Sequence, residues 1–286
     1  LTGSLDDWRR VEAHGTLQAT EVSLKQVPVR DLVAELNHTQ GRLTLRAIRA
    51  VVAEGLLTGD VQLDHQAQPP RYSLVLDAVS VNLGSLAATI PAWQKRNLQG
   101  TASTHVTLAG AWGNRVSLQG DGWIHATGER LADLPLLDRL LQGVFGVLAD
   151  RLGLSVLRRA QITTIAGQCR LAHEQFVTDD LKLGGVAVTE PLTIYVRGSV
   201  GLDQRLDLTI EPELSEQLVL QAPTTSSLPG VLLKAVGGLE RLRRMVGRHH
   251  VGGTIDKPDY QFEFSLDQLL KQVFPDAFEP WFDGRR

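Results

Sequence analysis

Cysteine is almost missing. Cys169 is the only one in 286 residues, so no disulfide can form within the chain and a disulfide-stapled secreted miniprotein is excluded. A lone thiol fits cytoplasm and periplasm equally. Aromatic residues are scarce at 5%, while hydrophobic residues reach 43%, so the apolar surface is aliphatic, mostly Leu, Val and Ala. Neither sign of charge dominates. A formal charge of -3 and a pI near 6.3 argue against a nucleic-acid binder, which carries a basic excess. No run of about eighteen apolar residues exists, so no transmembrane helix is expected. The basic start and small-residue cleavage site of a signal peptide are also missing. The chain opens at Leu1, without methionine and in what reads as mid-domain. It is therefore expected to be a piece or processed form of a longer protein, with any anchor or export signal upstream.

Catalytic constellations are missing too. Eight histidines are scattered without a His-x-x-x-His pair or a Cys/His ligand set. The His249-His250 pair reads as a solvated loop rather than a metal site. No Gly-x-Ser-x-Gly elbow or Walker A loop is present, and Gly184-Gly185 and Gly237-Gly238 lack the strand-turn-helix setting that cradles phosphate. Cys169, near Leu171, reads as an inert, half-buried thiol. Trp8, Trp93, Trp112, Trp123 and Trp281 read as core or rim packing, with Trp112 and Trp123 flanking turns. No cofactor and no metal are expected, and no enzymatic activity.

What is abundant is the short amphipathic strand punctuated by glycine. Gly15-Thr16-Leu17, Gly41-Arg42-Leu43, Gly55-Leu56-Leu57, Gly120-Asp121-Gly122 and Gly198-Ser199-Val200 repeat the pattern. Each glycine is read as a turn or bulge, followed by apolar and polar residues alternating at period two. Leu74 and Leu76, Val106 and Leu108, and Val116 and Leu118 follow this alternation. The cleanest examples are Leu192, Ile194 and Val196, then Leu206, Leu208 and Ile210. Val29 to Leu36 is ambiguous between strand and helical turn, and Gln68-Pro69-Pro70-Arg71 is a turn.

The period then changes. Asp133-Leu134-Pro135 opens a predicted helix over about 134–149, with Asp133 as cap and proline in the first turn. Ser227-Leu228-Pro229 repeats that grammar before a second helix over about 229–246. A final strand carrying Tyr260, Phe262 and Phe264 leads into a third, about 266–274. The expected fold is mainly β (α+β). A long, curved and twisted antiparallel sheet forms a groove, with two to three amphipathic helices packed on it or capping it. Two regions are expected: 1–130 as β repeats and 131–286 as the region with helices.

The closing segment, Val251-Gly252-Gly253-Thr254-Ile255-Asp256-Lys257-Pro258-Asp259-Tyr260, resembles the "G-T-(I/L)-x-x-P" ending of the AsmA-like C-terminal domain. The two Leu-Pro helix starts and the Leu206-Asp207-Leu208-Thr209-Ile210 strand also look like this family of AsmA- and TamB-type envelope proteins. The similarity runs from about Gly100 to Phe274, and more loosely over the opening strands. It implies a bridge-like lipid transfer protein: a taco-like sheet whose oily interior shields acyl chains across the periplasm, with the full-length protein anchored in the inner membrane.

Two readings of the apolar face follow. It lines a groove for phospholipid or another acyl lipid, formed by Leu74, Leu76, Val106, Leu108, Val116, Leu118, Leu192, Ile194, Val196, Leu206, Leu208, Ile210, Tyr260, Phe262 and Phe264. Alternatively the helices close it, and function lies in contacts with envelope protein partners at strand edges. Arg241, Arg243, Arg244 and Arg248 form a basic patch, read as a solvated helix face or as contacts to anionic lipid headgroups.

Overall fold

The computed structural model describes residues 11–91, 93–94, 98–129, 131, 160–187, 190–214, 248–255 and 257–262. They form one antiparallel meander. In chain order the elements are β1 (Ala13–Leu24), β2 (Val27–Thr39), β3 (Arg42–Val52), β4 (Gly55–Asp64), β5 (Arg71–Asn82), α1 (Leu83–Thr89), β6 (Thr101–Ala111) and β7 (Asn114–Thr127). They continue with β8 (Ala160–Ala172), β9 (Gln175–Ala187), β10 (Glu190–Gly201), β11 (Leu206–Leu214), β12 (His249–Gly253) and β13 (Pro258–Phe262). Each strand pairs with its predecessor and successor in sequence, so the order across the sheet is simply β1 to β13. The sheet does not close. At about 4.8 Å per strand it runs roughly 58 Å from edge to edge along its surface.

Register makes the sheet two-sided. Side chains opposite one another on paired strands project to the same face. One row reads Leu36, Leu45, Val61, Leu74, Leu108, Gly120, Leu171, Phe176, Val200, Leu206, crossing ten strands with one gap at glycine. A row on the other face reads Arg49, Thr58, Asp77, His105, Trp123, Gln168. Apolar positions thus concentrate on one side, as in antiparallel sheets with one covered face, although Leu56, Val75 and Val79 stand exposed on the other.

Bulges keep the apolar face continuous where strict alternation would lose it. In β2, Val27 and Val29 face the apolar side, then a register shift at Asp31 (φ 52) turns Leu32, Ala34 and Leu36 to it. β3 shifts at Ala47 (φ 49) and β5 at Ser80 (φ 54). A bulge leaves a backbone N–H outside the ladder and bends the strand. Polar-face side chains take up those donors. The Ala47 N–H donates to Asp60 Oδ1 (3.0 Å), Ser80 N–H to Ser103 Oγ (3.1 Å), and Gln168 N–H, in the β8 bulge, to Asp180 Oδ1 (2.7 Å).

Several expectations change. Among the glycines, Gly41 and Gly113 do sit in turns, but Gly15, Gly120, Gly122 and Gly198 lie inside strands. At Gly120 a Cβ would collide with the Thr107 carbonyl of β6, so glycine there serves close strand approach. The region 1–130 is not all strands, for it contains α1. Asn82 caps that helix, accepting from Ser85 N–H (3.0 Å), and Glu54 accepts from the Ser85 hydroxyl (2.7 Å) and the Asn82 amide (3.0 Å). The three predicted helices at 134–149, 229–246 and 266–274 lie outside the described residues. The Val29 to Leu36 ambiguity resolves as strand β2.

Candidate functional site: a one-sided apolar face

The described groove candidates fall on the apolar face. Leu74 and Leu76 come from β5, Val106 and Leu108 from β6, and Leu118 from β7, where Val116 has the same strand parity. Leu192, Ile194 and Val196 (β10) stand opposite Leu214, Pro212 and Ile210 (β11), and Leu208 stands opposite Val251, which pairs with Tyr260. Phe262 lies opposite His249 in β13, and Phe264 is outside the described residues.

Their environments differ sharply. In β10 and β11, Leu192, Ile194, Val196, Leu206, Leu208 and Ile210 are buried, Ile194 completely. In β5–β7, Leu74, Leu76, Val106, Leu108 and Leu118 are only half-buried, and Val116 is exposed. Helix α1 accounts for a local exception. It touches β2 and β5, and the apolar-face residues Val29, Ala50 and Val81 at that end of the strands are buried along with its own Leu83 and Ala87. The face is therefore filled under α1 and over most of β8–β12, where Phe176 near the strand ends stays exposed, and accessible over the middle of β5–β7.

Sequence reading missed several members of this face. Leu36, Leu45, Val61, Leu171, Leu183 and Val200 belong to it by register. The signal was present as short alternating stretches, but each bulge flips their phase.

The opposite face offers polar clefts. One of about 450 Å³ is lined by His105, Asp121, Trp123, Gln168, Cys169 and Asp180, among others. His105 Nδ1 pairs with Asp77 Oδ1 at 2.8 Å. Cys169 is exposed rather than half-buried, yet desolvation by the surrounding protein atoms pushes its thiol up from the ordinary value of 9.0, and the carboxylates of Asp121 and Asp180 push it further. The thiol stays protonated at neutral pH, the reverse of what a nucleophile needs. Another cleft, about 690 Å³, is lined by Arg42, Gln62, Arg71, Tyr72, Asn114 and Gln119, among others. Among the described residues, no group of three or more His, Cys, Asp or Glu is placed to hold a metal ion.

Other candidates relocate. His249-His250 is not a solvated loop. Both residues lie in β12, and alternation sends His249 into the buried apolar side while His250 Nδ1 approaches Asp207 at 3.7 Å. Arg248 precedes β12 and pairs with Glu211, which also holds Arg197 at 3.5 Å. Arg241, Arg243 and Arg244 lie outside the described residues. Trp112 occupies the β6–β7 turn, whereas Trp123 sits mid-strand on the polar face.

In comparison with known proteins, the model of the AsmA family matches residues 3–122. That span holds β1–β6 and most of β7, the strands that bear the accessible part of the apolar face. It does not reach the closing Gly-Thr-Ile-Asp-Lys-Pro segment. No curated protein and no solved structure matches the chain.

Proposed function

Starting from an N-terminal segment that is AsmA-like and laid out as an open, one-sided sheet, we propose that this chain is a lipid-handling module. It shields acyl chains and catalyses nothing. The half-buried stretch of apolar face over β5–β7 carries this reading, because its aliphatic side chains still present surface to a ligand. Covering apolar area is worth about 25 cal/mol per Å², and an acyl chain is a ligand with no polar feature along its length. A row of Leu and Val without directional groups suits it, and headgroups stay in water beyond the strand ends. The setting that fits is the periplasm of a cell envelope with two membranes. There the module would serve phospholipid transport between them, with the complete protein anchored in the inner membrane.

A second reading has its own support. The β8–β12 half buries most of its apolar face, with Phe176 left exposed, which favours a closed structural module that contributes to outer-membrane assembly through envelope protein partners. Lipid extraction separates the two. Chain purified without detergent and analysed by native mass spectrometry is expected to release phospholipid. Leu74→Asp combined with Leu108→Asp should release none while remaining folded. A dry wild-type preparation, unable to bind a fluorescent fatty acid, would sink the lipid reading and leave the structural one.

A further inference from the structure

The strand ends of the sheet form two lips, and the one made of tight turns carries an unusual hairpin. Ala111 of β6 pairs with Asn114 of β7, so Trp112 and Gly113 alone make the loop. Gly120 stands opposite Leu171 and β8 ends at Ala172, so residues 114–118 run past the end of their neighbour. Trp112 is 69% exposed and Val116 66%. Folding leaves both largely in water.

The loop is nonetheless held rigidly. Ala111 N–H donates to Ser117 Oγ (2.7 Å), whose hydroxyl donates to the Asn114 carbonyl (2.7 Å). Trp112 N–H donates to the Pro70 carbonyl (2.8 Å), tying the hairpin to the preceding turn. Arg115 on the same hairpin and Arg71 beside it are exposed. Asp64, the carboxylate in this neighbourhood, is engaged by Arg42 at 3.1 Å. A tryptophan on a hydrogen-bonded hairpin, beside an exposed aliphatic residue and two arginines, matches the membrane interface. Indole favours the headgroup level, and guanidinium pairs bidentately with phosphate.

We propose that the β6–β7 hairpin is an interfacial membrane anchor. Trp112 and Val116 sink into the headgroup–acyl boundary of an anionic bilayer while Arg71 and Arg115 meet lipid phosphates. This rests on the lipid-handling reading and deepens it, assigning the tight-turn lip to a membrane surface. Contact there would bring the accessible stretch of β5–β7 close to the source or sink of its acyl chains.

Flotation with vesicles tests it, using phosphatidylcholine containing phosphatidylglycerol and, in parallel, phosphatidylcholine alone. Wild-type chain should float with the anionic vesicles. Trp112→Ala should lower the partition coefficient on the order of tenfold, with an unchanged melting curve because the side chain is exposed. Arg71→Gln and Arg115→Gln should each cost about fivefold on anionic vesicles and little on neutral ones. All three variants should bind a fluorescent fatty acid in solution as the wild type does. That control separates two failures. Trp112-dependent flotation without fatty-acid binding removes the groove reading and leaves the anchor. Fatty-acid binding with no flotation, or with flotation indifferent to these substitutions, overturns the anchor and keeps the groove. Trp112-dependent capture of an envelope protein by a chain that ignores vesicles also overturns it.

Discussion

Leu74 and Leu192 are the same residue on the same face of one sheet, each within an alternating strand, yet Leu74 is half-exposed and Leu192 is 1% exposed. The contrast extends to the strands around them. Over β5–β7 the apolar side keeps accessible surface, while over β8–β12 it is mostly filled, Phe176 excepted. Both halves use the same strand grammar, with glycine at close approaches and polar residues opposite. Local sequence sets which way a side chain points; whether that side is covered is decided elsewhere in the fold. The AsmA match falls on the accessible half. The lesson is that one strand grammar yields two degrees of cover: half-buried aliphatic side chains over β5–β7 and mostly buried ones over β8–β12.

Substitutions can break or sharpen that contrast. The largest effect is expected from Ile194→Asp, which puts a carboxylate into a fully buried site and should cost more than about 4 kcal/mol, enough to abolish cooperative unfolding. Leu108→Asp in the accessible half should keep the fold, seen by circular dichroism, and lose fatty-acid binding. If both unfold the chain equally, the halves are not different in kind. Next comes truncation. Leu192→Ala should cost about 2–5 kcal/mol in urea titration, against about 1 kcal/mol for Leu74→Ala, which removes less buried area.

Smaller effects probe the polar side. Asp60→Ala strands the Ala47 N–H of the β3 bulge and should cost about 0.5–1.5 kcal/mol, with faster amide exchange confined to β3 and β4. Alkylation of Cys169 should be slow at pH 7, with its rate rising through a midpoint above the ordinary 9.0. Asp180→Asn should bring that midpoint down, and an unaltered profile would contradict the assigned cause. The smallest effect concerns Asp64. Hydrogen bonds from Arg42 and the backbone N–H of Gln66 hold its carboxyl below the usual 3.8. A depressed folded value means the stabilisation is present above 3.8 and lost as pH falls through the folded value. The melting temperatures of wild type and Arg42→Gln should therefore differ slightly at pH 7 and converge in acid.

Much of this was legible in the sequence. Period-two alternation in 192–196 and 206–210 marks strands whose apolar side is unambiguous, because β11 and the first part of β10 run without a bulge. Val29 to Leu36 defied the same reading for a definite reason. Asp31 takes a left-handed conformation and shifts the phase, so the inward positions change from odd to even inside the window. Ala47 and Ser80 do the same in β3 and β5, and neither is glycine, the residue a reader looks to for a bulge. Helix α1 was missed because Leu83–Thr89 is only seven residues long, too short for a helical period to show. His249 was misjudged because two adjacent histidines suggest solvent, while strand alternation buries one of them. What no local pattern encodes is the depth of cover over Leu74 as against Leu192.

The strictly sequential strand order has one more consequence. Every ladder joins successive described strands, and most of them are linked by short turns, the β7–β8 and β11–β12 connections being long. Such a polymer-like array can zip from either end as it is fed out, adding one hairpin at a time on a template already formed. Its length is adjustable in the same unit: inserting or deleting a hairpin changes the span by about 9.6 Å and leaves every other pairing intact. Reach, in this architecture, is a matter of counting.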